Sequence, residues 1–417
     1  MSRLAPGLLP VDGEGGRCRE TLAAPLASRR APGVIDGGPV VAAGAVVVAG
    51  TMFLTSAVAW RQGALFLVGV AAGAVLYHAA FGFTSSWRLL IAERRGAGLR
   101  AQMLMLAVTC LAFFPVLARG ELFGQTVRGS VAPVGVSVVV GAFVFGLGMQ
   151  LGGGCASGTL YSAGGGSIRM LVTLIAFIAG SVIGLLHVPF WEQTPAWPAV
   201  SLVARVGAGT ALAASLALFG CVAAAALALE RRRHGAAEAI LTTRDGRWSI
   251  LHGPWPLVAG ALGLAAINIA TLTLAGRPWG VTSAFALWGS KTLAGLGVDV
   301  AAWPYWQPAA RAADLRASVI SDVTSVMNIG IMVGALAAAG LAGRFAPAWR
   351  VPARSLVAAI AGGLMLGYGA RIAYGCNIGA YFSGIASSSV HGWLWFASAF
   401  LGNIAGTRLR PLFGLRV

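Results

Sequence analysis

The stretch Gly141–Gly166, GAFVFGLGMQLGGGCASGTLYSAGGG, recurs in pattern near the other end of the 417-residue chain as GGLMLGYGARIAYGCNIGAYFSG from Gly362. Aligning Cys155 with Cys376 also aligns Gly141 with Gly362, Gly146 with Gly367, Gly148 with Gly369, Gly154 with Gly375 and Gly158 with Gly379. Each copy is an apolar run that ends in a glycine-rich break around one cysteine. In a helix each glycine costs about 1 kcal/mol against alanine, so Gly152-Gly153-Gly154 reads as a turn. The chain must therefore hold two broken helices, and everything else can be read as the frame around them.

That frame lies in a bilayer. Hydrophobic residues make up 57% of the chain and charged residues 10%, against roughly 25% charged in a soluble domain. Several apolar runs exceed the ~18 residues that mark a spanning helix. Candidate spans are 39–60, 64–84, 101–118, 131–151, 170–188, 200–229, 255–275, 317–342, 355–375 and 392–407. The 59 glycines fit close helix packing, since small residues let backbones approach where lipid gives no hydrophobic drive for association. The five cysteines show no CxxC and no Cys/His pairing, which argues for free thiols over a disulfide framework or zinc site.

A net charge of +17 is compatible with nucleic acid or acidic lipid as partner, and its distribution decides between them. The basic residues sit mainly in short loops, as the positive-inside bias requires, so the lipid bilayer is the partner and nucleic acid is not. Placing the N terminus inside puts the basic segments Arg88 to Arg100, Arg169, Arg231 to Arg247, Arg344 to Arg354 and Arg408 to Arg416 on the cytoplasmic side, with both termini there. Residues 1–38, with no signal-peptide core, read as a disordered tail. Residues 39–229 form a first membrane repeat, 230–254 a basic linker, 255–410 a second repeat and 411–417 a short tail. The outer segments WEQTPAWP and AAWPYWQPAA carry interfacial aromatics or serve as lids.

In this topology Cys155 follows a span that arrives inside and Cys376 one that arrives outside. The expected fold is an all-α polytopic membrane protein of two inverted repeats of about five helices each, with paired re-entrant cysteine loops. A second correspondence, GFTSSW from Gly82 with GVTSAF from Gly280, again falls on opposite faces. Inverted repeats place their sites near the midplane, at discontinuous helices, and such irregular backbone survives at depth only in protein or beside a cavity.

A loop exposing backbone N–H groups beside a thiol suits a small anion. Candidate path residues are Cys155, Cys376, Gly154, Gly375, Gln150, Arg371, Asn377 and Ser157. Arg371 is the basic residue placed inside a span, a position that needs a partner or a water-filled path; it either neutralises an anion or pairs with helix carbonyls or Asp322. Lys291 reads as an outer-surface charge. The alternative for any membrane cysteine is a small hydrophobe at a tight contact, and that reading is preferred for Cys110 and Cys221. The histidines show no ligating pairs, and no nucleotide loop, Ser/His/Asp arrangement or catalytic carboxylate pair is present. Neither cofactor, metal nor enzyme activity is expected.

With GYGARIAYGCNIG at 367–379 and GLGMQLGGGCASGTLY at 146–161, the chain resembles the YeeE/YedE family of bacterial inner-membrane proteins, which includes thiosulfate-uptake transporters. The resemblance covers most of residues 64 to 410. It implies an hourglass-shaped helical protein with inverted pseudo-symmetry, in which thiosulfate passes along cysteines through S–H···S contacts, Cys155 as central relay thiol and Cys376 as a second. One segment departs from the family pattern: HAAFGFTSSWR has Gly82 where a thiol would stand. The reading is an importer of thiosulfate or a similar small sulfur-containing anion, with a small soluble sulfur-carrier protein as possible cytoplasmic partner. Its rivals are a channel or exporter for another solute, such as a selenium species, and a membrane dithiol redox or sulfur-transfer protein.

Overall fold

A computed structural model describes residues 35–243 and 249–417; most of the N-terminal tail, with Cys18, and residues 244–248 of the basic linker lie outside the described residues. The chain is almost entirely helical. In order come α1 (Gly37–Ala57), α2 (Trp60–His78), α3 (Phe83–Glu93), α4 (Ala97–Arg119), α5 (Val136–Gly152), α6 (Ala156–Gly164), α7 (Ile168–Trp191) and α8 (Leu202–Val206). Then follow α9 (Ala208–His234), α10 (Leu257–Ala275), α11 (Thr282–Gly295), α12 (Ala309–Arg316), α13 (Val323–Leu341), α14 (Ala353–Ile372), α15 (Ser383–Ala386) and α16 (Val390–Leu409). Two antiparallel ladders, Glu121–Leu122 with Gln125–Thr126 and Val134–Gly135 with Ala196–Trp197, tie loops together.

Nine helical units among the described residues are long and apolar enough to cross a membrane. Three of them, Trp60–Glu93, Val136–Gly164 and Ala353–Ala386, join a long helix to a short one behind it. A long helix followed by a short one also describes α10 and α11. The chain is thus a multi-pass membrane protein built from broken helices, and the short second halves were hidden from hydropathy because they are too brief to span.

Glycine sets the centre of the fold. Helices α5 and α14 cross antiparallel: a Cβ at Gly362 would run into the backbone of Gly152, one at Gly148 into Gly362 and Met365, and one at Gly369 into Gly141 and Phe145. Outside this pair, α16 lies parallel on α5, with Gly402 against Phe143 and Gly406 against Leu147. On the other flank α7 lies parallel on α14, with Gly363 against Thr173 and Gly367 against Phe177. A third tight pair, α2 on α13, runs parallel through Gly330 at Phe66 and Gly334 at Val70. These are the relative directions that alternating spans produce.

The periphery has the opposite character. The most apolar stretches of α1 and α9 are only 11% and 17% buried, so their hydrophobic side chains face lipid. The segment around Trp303 folds onto the protein as a lid: Trp306 is buried against Leu185, Ala286 and Leu287 and donates its Nε1–H to Ser290 Oγ at 3.2 Å.

Candidate functional site: two thiols at broken helices

Helix α5 ends at Gly153, whose φ of +89° is the left-handed region. Glycine suits that backbone, which strains any residue with a side chain, and a Cβ there would also push on the ends of the Arg169 and Met170 side chains. The chain then turns extended at Cys155, which caps the N terminus of α6. Its Sγ accepts the Gly158 N–H at 3.4 Å and lies 3.4 Å from Ser157 Oγ, and its carbonyl accepts from Thr159 N and Oγ1, each at 2.8 Å. Gly154 is packed against Gly158 and Thr159.

The second break repeats this geometry. Past α14, Tyr374 and Gly375 take φ of 59° and 147°, and Cys376 is again extended at the head of a short helical segment. Here the segment is a wide π-type turn, Asn377–Phe382, that runs on into α15; such turns recur at functional sites. Trp395 Nε1–H donates to the Gly375 carbonyl at 3.1 Å, fixing the turn. Cys155 and Cys376 are buried free thiols, and α6 touches the 377–382 turn. The two cysteine-headed segments therefore meet inside the protein.

Asn377 is fully buried, and neither its Nδ2 nor its Oδ1 has a hydrogen-bond partner. Buried amides are nearly always satisfied, so this one, next to Cys376, has donor and acceptor capacity left for something else. Thr84 Oγ1, near the start of α3, is also buried and unpartnered. Gln150 is fully engaged: Nε2 donates to Asn403 Oδ1 at 2.6 Å and to the Thr84 carbonyl at 3.2 Å, and Oε1 accepts from Arg88 Nη1 at 3.4 Å.

Three arginines close the end of α5. Arg410 Nη1 donates to the Gln150 carbonyl, Arg169 Nη2 to Leu151 and Arg169 Nη1 to Gly152, all at 2.6 Å. Arg410 and Arg169 thus satisfy carbonyls that a helix C terminus leaves open, Arg88 reaches the Gln150 side chain instead, and the positive charge complements the helix dipole. None of the three forms an ion pair among the described residues. Sequence reading placed Arg88, Arg169 and Arg410 in surface loops; their convergence on one helix end has no local signal.

Arg371 lies elsewhere. Its side chain packs against Gly184 of α7 and its guanidinium stands 5.7 Å from the centre of the Tyr305 ring. Asp322, the partner considered for it, caps α13 through Ser325 and pairs with Arg277 at 3.6 Å. Lys291 Nζ donates to the carbonyls of Leu315 and Ala317 at 2.6 and 2.7 Å, tying α11 to the end of α12. Gly82 holds the N-cap position of α3 that Cys155 holds in α6, but without a side chain to accept an N–H.

Sequence comparison carries the decision beyond geometry. A family model described as "Sulphur transport" matches residues 78–405. The chain belongs to that family. Among curated relatives, a thiosulfate transporter of Spirochaeta thermophila, TsuA, is 27% identical over 354 residues, 81% of this chain and 95% of that protein. The Escherichia coli thiosulfate transporter TsuA is 25% identical over 81% of this chain and 91% of its own length. A probable transporter of Salmonella typhimurium, YedE, is 32% identical over 146 residues, and the match spans only 35% of that protein. The family and these relatives are transporters, not enzymes.

Proposed function

We propose that this sulphur-transport protein imports thiosulfate, or a similar small sulfur-containing anion, across the bacterial inner membrane by relay between Cys376 and Cys155. The observation that carries the reading is the meeting of two cysteine-headed helical segments beside the unpartnered amide of Asn377. A thiol is a weak donor, so it holds an anion without trapping it, and several weak sites in series are what conduction needs. Backbone N–H groups at the short helix starts favour negative charge, and the arginines around Gln150 attract it at the far end of the path. Ser157, Gly154 and Gly375 shape the two turns.

The antiparallel crossing of α5 and α14, each with its parallel flanking helix, supports inverted repeats over 39–229 and 255–410. In this reading both termini are cytoplasmic, the arginine-capped end of α5 faces the cytoplasm, and Arg371 with Tyr305 lies toward the outer mouth. A small soluble sulfur carrier then drains the anion inside. Gly82 favours a second cargo reading, since a missing thiol shortens the relay, and growth on selenium species tests it.

Uptake of radiolabelled thiosulfate into cells stripped of their own sulfur importers is the test. The parent chain should restore uptake, and Cys155→Ala should abolish it while the protein still reaches the membrane. No uptake by the parent sinks the substrate; uptake by Cys155→Ala sinks the relay.

A further inference from the structure

A crevice of about 720 Å³ opens between the ends of α3, α9 and α16, away from both thiols. Helix α9 packs along α4, with Gly96 against the Ala226 backbone, and is anchored on either side of the crevice. Phe219 stacks on Trp393 with ring centres 5.5 Å apart, and Glu230 is clamped by Arg100 at 2.8 Å. Between and beside these anchors, Val222 of α9 faces Leu90 of α3 and Phe400 of α16 across apolar space.

The crevice is not uniformly apolar. Arg94 and Arg408 stand at its rim, both exposed, and neither forms an ion pair among the described residues. Thr407, itself 3% exposed, lines it, and its buried hydroxyl has no hydrogen-bond partner. The α9 C terminus with Arg231, Arg232 and Arg233 ends at the same level. Apolar walls with a cationic rim at one end of lipid-facing helices match the two halves of one molecule type, a lipid with a negatively charged headgroup. A transported anion would find only the rim charged, with apolar walls beneath it.

We propose that this crevice is a binding site for an anionic phospholipid, its headgroup on Arg94 and Arg408, its glycerol region at Thr407, and an acyl chain between α3, α9 and α16. Clustered arginines at the membrane surface attract such headgroups at about 1 kcal/mol each, so the pair confers a preference of about thirtyfold over a zwitterionic lipid.

Native mass spectrometry of the purified full-length protein, titrated with phosphatidylglycerol or with phosphatidylcholine of the same acyl chains, reads this directly. The wild type should retain phosphatidylglycerol about thirtyfold more tightly. The pair Arg94→Asn with Arg408→Gln should lose that preference; asparagine suits the left-handed backbone of residue 94 (φ 59°). Val222→Trp, which fills the crevice and leaves both charges in place, should remove one bound lipid. Thermal unfolding without added lipid confirms that both variants are folded. Equal retention of the two lipids by the wild type, or an undiminished preference in the double variant, overturns the proposal.

Discussion

Asn377 shows what a single residue can disclose. A buried amide left without partners destabilises a fold by about 1–3 kcal/mol, and this one sits next to a thiol at a wide helical turn. Asn377→Leu should therefore raise the unfolding temperature in detergent while lowering anion uptake; a variant that loses both would assign the side chain a structural task. Arg410 offers a second test. Burial, reinforced by the charges of Arg88 and Arg169, lowers its pKa to about 9. A base with a depressed folded pKa penalises the folded state fully below that value, and the penalty is relieved as pH rises through it. Arg410→Gln, which removes the charge and its burial penalty, should thus lower anion uptake into proteoliposomes without loss of thermal stability. Cys155, Cys376, Gly154 and Gly375 were legible as residues because their spacing repeats. The arginine cluster was not, since Arg88, Arg169 and Arg410 meet at Gln150 and the end of α5 only through the fold.

At the scale of elements, the crossing of α5 and α14 depends on the absence of side chains. Gly362 meets the backbone of Gly152, with no flexible atom there to yield. Gly362→Val should separate the helices and lower stability by at least the ~1–3 kcal/mol of overpacking, read as a drop in unfolding temperature, and it should impair uptake although it touches neither thiol. The candidate spans coincide with long helices, because about 20 apolar residues announce themselves in any order. Short α3, α6 and α11 carry too little apolar length to do so. Their starts are set by the turns at Gly82, Cys155 and Val281; the glycine motif marked the one at Cys155, and the GFTSSW and GVTSAF correspondence marked the other two positions without declaring them helices.

Across the whole molecule, the pairing of α5 with α16 and of α14 with α7 puts the two cysteine turns in contact at the centre, with α1 and α9 outermost against lipid. Reporter fusions at both termini should be active on the cytoplasmic side, and a label attached near Gln193 should be accessible from outside; the reverse pattern would invert the direction of the path. By itself the sequence determined the membrane class, the broken cysteine helices and the family, because hydropathy, glycine content and spacing are properties of the chain read along its length. Tertiary structure alone decided which helices touch, that Arg371 faces Tyr305 while Arg169 and Arg410 cap α5, and that Asn377 is left unpaired. Those facts rest on contacts between residues far apart in sequence, where packing and hydrogen-bond satisfaction, not local pattern, select the partner.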